Sequence, residues 1–123
     1  MTKILLDSDV IINILKKKVE TLDKLNSLDG CEFYISPIVI AEVYAGARPK
    51  EKSQIEELFS YFEVVDINAQ IGIITGNYAN EFKKAFNGIS LEDYIIAGTA
   101  KHHGFVLWTY NLKHYPMKDI VLL

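Results

Sequence analysis

The sequence predicts an α/β fold: one domain over residues 1–123, with a mainly parallel central sheet of about four or five strands flanked by helices. Three observations carry this prediction. Short apolar runs of strand length recur, as in Ile4-Leu5-Leu6 and Phe105-Val106-Leu107-Trp108, and end abruptly in polar residues. Helical stretches lie between these runs, long enough to return the chain to a parallel neighbour. At 123 residues, 50% of them hydrophobic and 24% charged, the chain suits a single globular core rather than two domains or a disordered segment.

Each element has a local reason. A strand at 3–6 delivers Asp7-Ser8-Asp9 to its C-terminal end, where open α/β sheets bind ligands. Residues 10–15 are apolar on most sides and form a helix; Lys16-Lys17-Lys18 closes it, cations suiting its negative end. A second amphipathic helix covers 19–28 and stops at Asp29-Gly30. After a short strand at 32–35, Ser36 caps a helix with Pro37 in its first turn, and Arg48-Pro49 breaks it after Ala47. Residues 51–61 form a helix with Ile55, Leu58, Phe59 and Phe62 on its inner side. An interior strand at 62–65 ending at Asp66 follows, then a long helix over 69–86 that Asn87-Gly88 turns. A helix over 90–103 stopped by Gly104, a strand at 105–108 and a short strand at 120–122 complete the pattern.

Composition removes several classes of function. No apolar run approaches the ~20 residues of a membrane-spanning helix. The N-terminus enters the first strand at once, leaving no room for a signal peptide. Cys31 is the only cysteine, a small filler with no disulfide partner, and a reducing cytoplasm is the expected compartment. A net charge of −3 argues against coating nucleic acid through a basic surface. It leaves room for an enzyme acting on nucleic acid, because divalent cations held among acids would more than offset that charge. Lysines outside such a site, Lys16 to Lys18 and Lys24 among them, could then meet phosphates, although each suits an ordinary solvated helix position.

Five residues carry the chemistry. Asp7 ends the first strand and can also cap the helix after it. Glu42 shares a helix face with Ile38, Ala45 and Gly46, where an ionised carboxylate is expensive unless a cation or an arginine compensates it. Asp93 begins a helical stripe with Ile96, Ala97 and Ala100 and so points inward, while its spacing from Ser90 also makes a capping box. Thr109 and Asn111 follow the strand at 105–108 and place neutral oxygens at the same sheet edge as Asp7. Asp66 ends a strand too but reads as a turn or cap acid. His102 and His103 are adjacent on a helix and cannot face one zinc site. Lys113 and His114 sit close enough to the acids in sequence to contact phosphate, or to be plain loop residues.

Asp7 after an apolar strand, Ala41-Glu42-Val43-Tyr44-Ala45-Gly46-Ala47, Asp93-Tyr94-Ile95-Ile96-Ala97-Gly98-Thr99-Ala100 and Leu107-Trp108-Thr109-Tyr110-Asn111-Leu112-Lys113-His114-Tyr115 occur in an order and spacing that resemble the PIN-domain nucleases. The nearest resemblance is to the VapC-type toxins of prokaryotic toxin–antitoxin pairs, and it spans essentially the whole chain. It implies a ribonuclease dependent on Mg²⁺ or Mn²⁺, with Asp7, Glu42 and Asp93 as acidic core and metal ligands. The family's fourth acidic position falls on Asn111, a weaker ligand than aspartate, and Asp9 and Thr109 are auxiliary. The resemblance further implies an RNA substrate, a homodimer, and silencing by an antitoxin whose tail enters the acidic groove. Three clustered carboxylates repel one another, and a hard cation with oxygen ligands relieves that repulsion.

Other classes fit less of the chain. Asp7-Ser8-Asp9 resembles the start of a haloacid-dehalogenase-type phosphatase with Thr109 as second motif, but too few residues follow Thr109 for the later ones. A response-regulator receiver would use Asp66 as phosphoacceptor and needs a Lys-Pro pair where this chain has His114-Tyr115-Pro116. A catalytically inactive PIN module serving as a scaffold is the stronger alternative, because of Asn111.

Overall fold

The computed structural model describes all 123 residues. Five strands, β1 (Lys3–Leu6), β2 (Glu32–Ile35), β3 (Glu63–Val64), β4 (Val106–Trp108) and β5 (Val121–Leu122), form one sheet in the order β3-β2-β1-β4-β5. Every pairing is parallel. The chain works outward from β1 through β2 to β3, then crosses back to lay β4 and β5 on the other side of β1. The strand order therefore reverses between β1 and β4, and a crevice opens at their carboxyl ends. Asp7 N donates to Trp108 O at 3.0 Å, so the β1–β4 ladder runs to the base of that crevice.

The helices are α1 (Ser8–Leu15), α2 (Val19–Ser27), α3 (Pro37–Ala45), α4 (Lys52–Phe59), α5 (Ala69–Phe82) and α6 (Leu91–His103), with 3₁₀ turns at Pro49–Glu51 and Leu112–His114. They cover both faces of the sheet, which is why consecutive residues Ile4, Leu5 and Leu6 of β1, and Leu107 and Trp108 of β4, are all fully buried. Val10, Ile11 and Ile14 of α1, Val39 and Val43 of α3, and Ile96, Ala97 and Ala100 of α6 close over them. No helix is long and apolar enough to cross a membrane.

Three expected elements differ in extent. The strand expected inside the sheet at 62–65 is the two-residue β3, which pairs only with β2 and leaves both residues exposed. Its apolar neighbours flank the strand: Val65 is buried beyond it, and Phe62 packs edge-on against Phe33 of β2. The helix expected over 51–61 begins as a 3₁₀ turn because Pro49 opens it, and α4 proper buries Ile55. α5 ends at Phe82, short of residue 86, and the chain then turns toward Gly88 at φ +86°.

α5 and α6 touch most closely at Gly98. A Cβ there would stand 2.6 Å from Thr75 Oγ1 and 3.2 Å from both Ile71 O and Thr75 N. Two of those three neighbours are backbone, so a methyl group must push the helices apart. Gly98→Ala is expected to destabilise the protein by about 1–3 kcal/mol despite alanine's better helix propensity. Urea unfolding of the variant checks this, and adding Thr75→Ala should recover part of the loss by removing the nearest atom.

Candidate active site

Asp7 occupies the hinge between β1 and α1 and is 5% exposed. It does cap α1, Oδ1 accepting from Ser8 N at 2.8 Å. Its second oxygen, Oδ2, accepts from two hydroxyls, Thr109 Oγ1 at 2.9 Å and Tyr115 OH at 2.8 Å. Thr109 lies directly after β4, so the acid and its donor come from the two strands that flank the switch in strand order. With no apolar partner on the polar edge, these hydrogen bonds fix the carboxylate's rotamer.

Asp93 reaches the same point from the first turn of α6. Ser90 Oγ accepts from Asp93 N at 3.2 Å while Asp93 Oδ2 accepts from Ser90 N at 3.2 Å, so the expected capping box forms. Capping and clustering coexist, because Asp93 Oδ2 also lies 2.9 Å from His114 Nδ1 and Oδ1 lies 3.4 Å from Tyr115 OH. A single phenol thus reaches both Asp7 and Asp93. Tyr115 is 3% exposed; burial, then the charges of Asp7 and Asp93, push its phenol far above the ordinary tyrosine range. It therefore remains a neutral hydrogen-bond donor between two carboxylates.

Asp9 stands in the first turn of α1. Its Oδ2 accepts from Tyr110 N at 3.0 Å, while Oδ1 is buried without a hydrogen-bond partner. Burial, followed by the charge of Asp7, raises its pKa above the usual carboxylate range. Glu42 corrects an expectation. It lies on an exposed face of α3 together with Ala41, Ala45 and Gly46 rather than on a buried apolar one, so its desolvation is only partial. It still feels the cluster: partial desolvation first, then Asp7, Asp93, Glu92 and Asp9, raise its pKa.

As the side chains stand, no three acids converge to hold a metal ion. Asp7 and Asp93 are brought together through Tyr115, Asp9 adjoins them, and Glu42 faces them from α3 across the crevice. Asn111 is occupied locally: its backbone N donates to Thr109 Oγ1 at 3.0 Å, and its side-chain Nδ2 lies 2.8 Å from His114 Nδ1. Nonetheless the donor set suits a hard divalent cation. Carboxylate and hydroxyl oxygens dominate it, with His114 Nδ1 the exception at Asp93; Asp9 Oδ1 lacks any partner, and burial, then the charges of neighbouring carboxylates, holds Asp9 and Glu42 less acidic than normal.

The remaining sequence candidates stay apart. Asp66 is exposed beyond the edge strand β3, two strands from Asp7. The rings of His102 and His103 meet edge-on at 4.7 Å but belong to no ligand cluster. Cys31 is half-buried and free. Sequence reasoning missed Tyr115 and the placement of His114. The only signal was general: a buried tyrosine needs a hydroxyl partner, and that rule does not name the partner.

A parallel sheet with carboxylates from β1, α1 and α6 gathered at its carboxyl edge, and a further one facing them from α3, defines an α/β protein with an acidic crevice. The PIN domain family model matches residues 4–118, and the chain belongs to that family. It is 35% identical over 116 residues to Ribonuclease VapC10 of Mycobacterium tuberculosis, covering 93% of this chain and 86% of that one. Among solved structures, VapBC2 from Rickettsia felis, bound to a promoter DNA fragment, superposes with a TM-score of 0.88 at 23% identity, covering 99% of this chain and 98% of that one. A toxin–antitoxin complex from Klebsiella pneumoniae matches with a TM-score of 0.78 at 26% identity, covering 95% of this chain and 94% of the other.

Proposed function

We propose that this protein is a metal-dependent endoribonuclease that hydrolyses RNA phosphodiester bonds, and that it is the toxin of a toxin–antitoxin pair. The observation that carries the reading is the meeting of Asp7 and Asp93 on one tyrosine hydroxyl at the crevice, beside the unpartnered Asp9 Oδ1. Family membership supports the same reading, as does likeness to a protein named a ribonuclease and to a complex named toxin–antitoxin.

Asp7, Asp93 and Glu42 would hold Mg²⁺ or Mn²⁺, with Asp9, Thr109 and Asn111 in support. When bound, the cation acidifies water and offsets charge on the phosphate in the transition state. The chain's own residues do the rest. Thr109 and Tyr115 hold Asp7 in one rotamer, and the Ser90 cap and His114 hold Asp93. At the crevice between β1 and β4 Asp7 is buried, Asp9 and Asp93 are half-buried and Glu42 is exposed, so a phosphodiester would meet the less buried acids first. Cleavage of RNA with Mg²⁺ or Mn²⁺, abolished by EDTA and restored by added metal, is the expected result. Absence of cleavage under all metal conditions would favour the inactive-scaffold reading, to which the engagement of Asn111 with His114 lends some support.

The pair of hydroxyls on Asp7 has its own consequence. Groups that orient a metal ligand contribute roughly 10–100-fold to metal affinity. Tyr115→Phe removes the shared donor without opening a large cavity, and is expected to weaken Mn²⁺ binding by that order. A thermal-shift titration with Mn²⁺ measures it; an unchanged midpoint would leave the phenol a packing residue. The reading also includes a homodimer and a bound antitoxin, for which light scattering and co-expression with the adjacent gene product are the direct tests.

A further inference from the structure

We propose that the groove between the α1–α2 turn and Tyr110 is a subsite for one unpaired RNA base, with the Tyr110 ring as its stacking surface. This rests on the endoribonuclease reading and deepens it. The groove, about 480 Å³, is lined by Asn13, Lys18, Val19, Glu20, Thr21 and Tyr110. Asn13 lies one helical turn beyond Asp9 on α1, about 6 Å along the axis, so the groove opens beside the acids.

Tyr110 is an unusual surface residue. It is 44% exposed, yet it is tied at both ends: its N donates to Asp9 Oδ2 at 3.0 Å, and its hydroxyl pairs with Thr21 Oγ1 at 2.8 Å. Thr21 is itself 1% exposed, so the anchor is rigid. Trp108 meets the ring edge-on with centroids 6.4 Å apart. An aromatic face held in place while open to solvent is a preformed platform, and single-stranded RNA is recognised by bases stacked on such rings. Val19, 70% exposed, adds apolar surface to the same groove. Lys18 supplies a cation for the adjoining phosphate, and Asn13 an amide for a base edge. Glu20 repels phosphate from its own part of the groove, which sets where the backbone can run.

The test uses the full chain carrying Asp7→Asn, so that bound RNA is not cut, and a fluorescein-labelled random-sequence single-stranded RNA of twelve nucleotides. Adding Tyr110→Ala is expected to weaken binding by about 5- to 100-fold, the range for loss of one base–aromatic stack. Tyr110→Phe keeps the ring and should stay within about threefold of the parent. An abasic strand of the same length should bind the parent and Tyr110→Ala alike. Equal binding of the random RNA by parent and Tyr110→Ala overturns the subsite, as does an equal loss on the abasic strand. Cleavage by the wild-type chain separates the two levels. If RNA is cut but Tyr110→Ala binds normally, only the subsite fails; if RNA is neither cut nor bound, the nuclease reading fails and the subsite with it.

Discussion

Asp7→Asn, and separately Asp93→Asn, is expected to lower RNA cleavage by at least about two to three orders of magnitude, the loss typical of removing one electrostatic contact made in the transition state. The two carboxylates meet at one hydroxyl, so each substitution removes a formal charge from the point where a cation would sit. Asparagine keeps the shape of the side chain and one acceptor oxygen. Ser8 N keeps its acceptor, and both hydroxyls can rotate to accept from the new amide, Tyr115 then turning its proton to Asp93 and Thr109 to Asp9. Far-UV circular dichroism and the unfolding midpoint should therefore change little while Mn²⁺-induced stabilisation disappears. Asp66→Asn is the control: Asp66 lies exposed beyond the edge strand and its loss should leave cleavage intact. Full activity in both Asp7→Asn and Asp93→Asn would refute the assignment.

The second large effect concerns stability. Trp108 is fully buried at the end of β4, beneath the candidate site, and its carbonyl receives Asp7 N. Trp108→Ala should cost about 3–5 kcal/mol, the usual loss for emptying a large aromatic site in a core. Trp108→Phe should cost appreciably less. The indole Nε1 is buried without a hydrogen-bond partner, so phenylalanine loses volume but also sheds an unsatisfied polar group. Because Trp108 is the only tryptophan, its fluorescence follows unfolding of the parent, and circular dichroism must follow the variants. Equal losses in the two variants would mean that the phenyl ring fails to fill the site the indole leaves.

Much of the architecture was legible because burial and periodicity are local. The runs Ile4-Leu5-Leu6 and Phe105 to Trp108 read as interior strands, and they are β1 at the centre of the sheet and β4 beside it. Ser36-Pro37 and Ser90 marked helix starts that form as read, since a cap needs only its own next few residues. The run 62–65 misled because apolar content was taken for an interior strand. Only Glu63 and Val64 form the strand, both exposed, and the backbone pairs along one edge only.

At the crevice, residue type and spacing marked Asp7, Glu42, Asp93, Thr109 and Asn111 as candidates, the order of motifs pointed to the family, and the resemblance added Asp9. Only the tertiary structure decided how they are held. It put Tyr115 between Asp7 and Asp93, bound Asn111 to His114, left Asp9 Oδ1 alone, and set Glu42 on an exposed face. The reason is the range of the interactions. Helix and strand propensity act over a few neighbours, whereas the hydrogen bond from Tyr115 to Asp7 joins groups 108 residues apart and exists only once β4 has paired with β1.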